Sequence, residues 1–145
     1  MVTNSLGNCG DRPSSATARG PGMLLDTDVL VDFLRGHAPA VNWLTSYARP
    51  IGIPGFVAME LLQGCRDLAE QQRVERELDR FTMHWPTRTD CERAYRGFAA
   101  LRLVVGLGLL DSLIAQTAIG LNEPLATFNI KHYGAVTALE TVQPY

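Results

Sequence analysis

The chain has 145 residues with 46% hydrophobic and 19% charged side chains, a length that supports one domain with its own core. A net charge of only -2 excludes a polybasic nucleic-acid binder, and ordinary hydrophobicity excludes a wholly disordered chain, although an enzyme that meets nucleic acid in one groove stays open. Three widely spaced cysteines, Cys9, Cys65 and Cys91, form neither a disulfide framework nor a C-x-x-C knuckle, which points to a reducing cytoplasm.

Residues 1–22 are rich in Ser, Gly, Ala and Pro and lack apolar periodicity. They are predicted to be a disordered N-terminal extension, with one domain spanning 23–145. From Met23 onward, short apolar runs alternate with longer amphipathic ones. Met23-Leu24-Leu25 reads as a buried strand ending at Asp26, and Val29–Leu34 as a short helix closed by Arg35-Gly36. A helix is expected over Pro39–Tyr47, a strand at Ile51 and Ile53, and a helix over Phe56–Cys65. The amphipathic run Leu68–Phe81 predicts a helix with Arg73, Arg76 and Arg80 on its charged side, read as a solvated, salt-bridged face.

Met83-His84-Trp85 suggests a brief strand. Thr89 to Glu92 has capping-box spacing and predicts a helix to about Arg102. Leu109–Gly120 is a mostly apolar helix. Asp111, Ser112, Gln116 and Thr117 interrupt the apolar stretch around it, so it does not read as a membrane span. Leu125-Ala126-Thr127 and Glu140–Val142 are the last strand candidates. Apolar strands separated by helices predict a three-layer α/β/α sandwich with a mainly parallel sheet. In such sheets ligands sit beyond the carboxyl ends of the strands, which directs attention to Asp26 and Asn129.

Three acids lie in apolar surroundings where a lone charge is costly: Asp26, Glu60 within Val57–Leu62, and Asp111 within Leu109–Ile114. Each has a plain structural alternative. Asp111 can cap the helix near Ser112, Asp26 can hold a turn, and Arg96 or Arg102 can neutralise an acid. Taken together, three acids with no His or Cys among them suit a hard divalent cation such as Mg²⁺ or Mn²⁺. Asp28 and Asp32 read as supporting or solvated groups, and His37, His84 and His132 are scattered.

Four segments, in order, resemble the PIN-domain ribonucleases, specifically VapC-type toxins. They are Met23–Gly36, Val57–Gly64, Leu109–Ala118 and Pro124–Tyr133, and the resemblance extends from Met23 to the C-terminus. It implies a compact α/β/α sandwich and an Mg²⁺- or Mn²⁺-dependent endoribonuclease acting on RNA, with structured RNA such as tRNA or rRNA as the substrate class. The family acids fall on Asp26, Glu60 and Asp111, and its fourth acidic position falls on Asn129. His132 stands nearby where relatives often carry Asp or Glu, which leaves fewer carboxylates for a second ion. By resemblance Asp26 and Asp111 hold the metal, Glu60 ligates through water or orients the attacking water, and Asn129 positions water. Thr27, Ser112 and Thr127 are expected to bond to these carboxylates or to substrate phosphate. Implied partners are a second copy of the chain in a homodimer and a VapB-type antitoxin lying in a groove walled by Trp43, Tyr47, Leu61 and Leu62. A non-catalytic PIN-like binding module and an RNA-processing nuclease that is not a toxin are the competing readings.

Overall fold

The computed structural model describes residues 22–145, so the predicted disordered extension lies, except for Gly22, outside the described residues. The elements run β1 (Met23–Leu25), α1 (Thr27–Leu34), α2 (Ala38–Ser46), β2 (Ile51–Pro54), α3 (Gly55–Gln63), α4 (Leu68–Leu78), β3 (Thr82–His84), α5 (Arg88–Val105), α6 (Leu109–Leu121), β4 (Leu125–Ala126), α7 (Ile130–Tyr133) and β5 (Thr141–Val142). The five strands form one sheet in the order β3-β2-β1-β4-β5, and every neighbouring pair is parallel.

Strand β1 is central, pairing Leu24 with Gly52 on one side and with Leu125 on the other. A central parallel strand is covered on both faces, so its residues are consecutively apolar instead of alternating. Leu24, Leu25, Ile53, Leu125 and Ala126 are accordingly all fully buried. From β1 the chain steps outward to β2 and β3, then returns past β1 to β4 and β5. Every crossover carries at least one helix, and the helices cover the sheet in the expected α/β sandwich. The reversal of strand order between β1 and β4 is the switch point at which such sheets bind ligands.

Local details depart from the sequence reading. The capping box of α5 forms at Thr87, not Thr89: Asp90 N–H donates to Thr87 Oγ1 at 3.2 Å, and Thr87 N–H donates to Asp90 Oδ2 at 2.9 Å. Starting the helix there lets the buried Asp90 satisfy its carboxylate, whereas Glu92 stays on the surface. Helix α4 stops at Leu78, three residues short of the expected end. Phe81 leaves it to pack edge-on against Phe33 at 5.9 Å. Helix α7 has only four residues and no periodicity to announce it. No helix among the described residues is long and apolar enough to cross a membrane.

Candidate active site

The loops after β1 and β4 meet at the switch point. Asp26 follows β1 directly and serves as N-cap of α1, its Oδ1 accepting from Thr27 N–H at 2.9 Å. Its Oδ2 accepts from the buried hydroxyl of Thr127, just past β4, at 2.7 Å. Asp26 N–H donates to Ala126 O at 3.0 Å, so the β1–β4 pairing itself fixes the residue. The neighbouring Asp28 accepts from Val29 N–H at 2.7 Å and from Phe128 N–H at 2.9 Å, tying the start of α1 to the loop after β4. That gives Asp28 the supporting role read from the sequence. Asp32 likewise accepts from the Tyr145 hydroxyl at 2.9 Å.

The remaining acids arrive on helices. Glu60 lies on α3, where its Oε2 accepts from the Thr27 hydroxyl. Asp111 occupies the first turn of α6, and its Oδ2 accepts from Gly108 N–H at 3.0 Å. The structural alternative of a capping role therefore holds for Asp26 and Asp111, and it coexists with their placement in a shared pocket. Asp26, Thr27, Asp28, Glu60, Gln63, Gly64, Asp111 and Asn129 line one open pocket of about 580 Å³. Asn129 is the N-cap residue of α7 without using its side chain as a cap, and its N–H donates to Thr127 Oγ1 at 3.0 Å.

Burial dominates the electrostatics. Asp26 is 6% exposed, and desolvation, added to the negative charges of Asp28 and Asp111, pushes its pKa up to about 6. Burial also raises Asp28. Tyr133, at the end of α7, brings its hydroxyl within 3.4 Å of both Asp26 Oδ1 and Asp111 Oδ1. Burial and the neighbouring carboxylates hold that phenol far above its ordinary range, so it stays protonated and donates.

The outcome for the predicted supporting groups is mixed. Thr27 and Thr127 bond to acids of the pocket as expected. Ser112 does not: its hydroxyl donates back to Gly108 O at 3.2 Å, as a residue one turn along a helix commonly does. His132 Nδ1 stands 3.9 Å from Asp111 Oδ2, whereas His37 and His84 lie outside the pocket. Neither Arg96 nor Arg102 forms an ion pair among the described residues, and Arg102 lies over the Phe98 ring instead.

Two residues at the site, Tyr133 and Gly108, are not singled out by the sequence. Gly108 is required by close approach and not by backbone conformation, since a Cβ there would meet Asp111 Oδ2 at 2.8 Å. Gly108→Ala should therefore push the Asp111 carboxylate aside. The nuclease activity that the resemblance implies is expected to fall by about tenfold or more while the melting temperature drops only a few degrees. Full activity in purified Gly108→Ala protein would contradict this.

A second groove adjoins the acidic pocket. A groove of about 740 Å³ runs between α1, α3 and α4, with Val31, Leu34, Leu61 and Val74 as apolar walls and Arg35, Arg73 and Arg76 among its lining residues. It opens into the acidic pocket, because Thr27, Glu60 and Gly64 line both. Of the predicted walls only Leu61 belongs to it. Trp43 and Tyr47 stack on each other at 5.7 Å, and Trp43 packs edge-on toward Tyr145 at 6.5 Å, so these rings cover the C-terminus. Leu62 packs against the core.

The chain is thus a parallel α/β sandwich with an acidic pocket at its switch point. The PIN domain family matches residues 23–135. Ribonuclease VapC10 of Mycobacterium tuberculosis is 36% identical over 116 residues, covering 77% of this chain and 85% of the relative. Among solved structures, a toxin-antitoxin complex from Klebsiella pneumoniae shares a TM-score of 0.68 at 27% identity, covering 86% of this chain and 98% of that one. VapBC2 from Rickettsia felis, bound to a DNA fragment from its promoter, shares 0.69 at 25% identity, covering 83% and 96%. The chain belongs to the PIN-domain family, in its VapC branch.

Proposed function

We infer that the chain is a VapC-type toxin, a cytoplasmic endoribonuclease that hydrolyses phosphodiester bonds in RNA with a divalent metal ion, and that a VapB-type antitoxin restrains it. The observation that carries this reading is the shared pocket of Asp26, Glu60 and Asp111 at the sheet's switch point, with Asp26 desolvated and facing further negative charge.

Among the described residues no three His, Cys, Asp or Glu side chains form a group that could hold a metal between them. Mg²⁺ does not require such a group, since it is commonly held by one or two carboxylates and keeps several of its waters. Asp26 and Asp111 supply two hard oxygen ligands, and a cation offsets the desolvation and the lesser like-charge repulsion that raise Asp26. The residues fit Mg²⁺ or Mn²⁺, with Asp26 and Asp111 as the holders. When bound, such an ion lowers the pKa of coordinated water and stabilises negative charge on the phosphate under attack.

The chain's own residues do the rest. Glu60, fixed by the Thr27 hydroxyl, is placed to orient the attacking water and accept its proton. Asn129 offers an uncharged amide at the pocket rim to position water without repelling phosphate. An amphipathic antitoxin segment fits the groove between α1, α3 and α4. Its apolar residues would meet Val31, Leu34, Leu61 and Val74, and its acids Arg35, Arg73 and Arg76. A basic residue entering the pocket would compete with the metal for Asp26 and Asp111.

Asn129 in place of a fourth acid is the one observation that favours a non-catalytic module. Labelled RNA incubated with Mg²⁺ and either the wild-type chain or Asp111→Asn decides between them. The nuclease reading expects cleavage by the wild type only, and addition of the co-encoded antitoxin should suppress it. Intact RNA with both proteins would leave a binding module.

A further inference from the structure

The Tyr133 side chain is only 1% exposed, yet it carries a hydroxyl into an otherwise apolar neighbourhood. A buried hydroxyl needs a partner, and here both of its partners are carboxylates of the acidic pocket. The two oxygens involved, Asp26 Oδ1 and Asp111 Oδ1, come from the end of β1 and from the first turn of α6. The hydroxyl stands at the same 3.4 Å from each.

The other carboxylate contacts are unequal. Asp26 is already held through both oxygens, by Thr27 N–H on Oδ1 and by the Thr127 hydroxyl on Oδ2. Asp111 has Gly108 N–H on Oδ2, while Tyr133 is the hydrogen-bond donor to its Oδ1. A carboxylate anchored through one oxygen can swing about its Cβ–Cγ bond, and repulsion from Asp26 would drive it away.

We propose that Tyr133 is a positioning residue whose hydroxyl, placed between Asp26 and Asp111, fixes the spacing and rotation of the two carboxylates before a divalent ion binds. The inference rests on the metal-dependent reading above. Its backbone is suitably fixed: Tyr133 N–H donates to Asn129 O at 3.2 Å, and Val136 N–H donates to Tyr133 O at 3.0 Å. The phenol has one proton to share between two acceptors, so it bridges the two oxygens without neutralising either.

The test compares Mn²⁺ binding to the wild-type chain, Tyr133→Phe and Tyr145→Phe by calorimetry, together with their melting temperatures. Tyr145→Phe removes a hydroxyl that also donates to an aspartate, Asp32, but away from the pocket. Tyr133→Phe should weaken Mn²⁺ binding by about tenfold or more, as loss of a group that orients a ligand does, and regain most of its kcat at saturating Mn²⁺. Tyr145→Phe should leave the affinity unchanged. Equal or tighter binding by Tyr133→Phe, beside a wild type that binds Mn²⁺, would overturn the positioning role and leave the metal site standing. Equal weakening in both variants would reduce the effect to a general loss of packing and also overturn it. No Mn²⁺ binding by the wild type would overturn the metal reading, and this inference with it.

Discussion

Asp26→Asn is expected to cut RNA cleavage by about a hundredfold or more while leaving the metal-free chain as stable as the wild type or more so. The two effects share one cause. At neutral pH the wild-type carboxylate is charged although burial and the charges of Asp28 and Asp111 oppose it, which pushes its pKa up to about 6 from 3.8. That shift corresponds to at most about 3 kcal/mol of folding free energy forfeited at pH 7. An amide carries no charge and recovers much of it. Against this, Asn has one carbonyl oxygen where Asp26 offers acceptors to both Thr27 N–H and the Thr127 hydroxyl, so part of the gain is lost. The balance is a melting temperature unchanged or raised by a few degrees, measured at pH 7 without metal. Activity is expected to fall because the variant lacks a carboxylate proposed to hold the cation. A variant that still cleaves at the wild-type rate would remove Asp26 from the mechanism.

The fold was legible because a parallel sheet covered on both faces writes itself as unbroken apolar runs. Leu24-Leu25, Ile53 and Leu125-Ala126 are such runs, and all are fully buried. Asp26, Glu60 and Asp111 were legible for the converse reason: each is an acid where the local pattern calls for an apolar side chain. That they share a pocket follows from packing that the local sequence does not write: α3 meets both α1, which Asp26 caps, and α6, which carries Asp111. Tyr133 was illegible because its meaning lies in contacts 107 and 22 residues away, and nothing in its neighbourhood marks its hydroxyl as needed. Gly108 acts through the space it leaves for Asp111, which composition does not encode. Trp43 and Tyr47 carry the spacing of an exposed apolar face, which does not announce that they stack on each other or that Trp43 packs toward Tyr145, itself packed on Phe128 at 4.9 Å. The cap of α5 was displaced by two residues because Thr87 and Thr89 both have an acid three positions on, and only burial of Asp90 chooses between them.

Stripping divalent ions with EDTA should stop cleavage altogether, and it should also reveal a pH dependence of stability that metal reverses. In the metal-free chain Asp26 binds its proton more tightly folded than unfolded, with a pKa of about 6 against 3.8. Between these values the native state holds more protons than the unfolded state, so stability falls as the pH rises through the window. The contribution from this group is full below about pH 4 and gone above about pH 6, and amounts to at most about 3 kcal/mol. Asp28 shifts in the same direction, so the wild type should be read against Asp26→Asn, which lacks the Asp26 component alone. Added Mg²⁺ or Mn²⁺ works in the opposite sense. It needs the deprotonated carboxylate, so its stabilisation is small near pH 4, where it must displace a proton, and grows toward neutrality. At a hundred times the dissociation constant it reaches about 2.7 kcal/mol. Melting curves of the wild type with and without metal should therefore diverge as the pH rises from about 4 to about 7, and those of Asp26→Asn should stay together. A metal-induced shift of equal size at both ends of that range, or one retained in full by Asp26→Asn, would mean that the ion binds elsewhere and that Asp26 is buried for structural reasons alone.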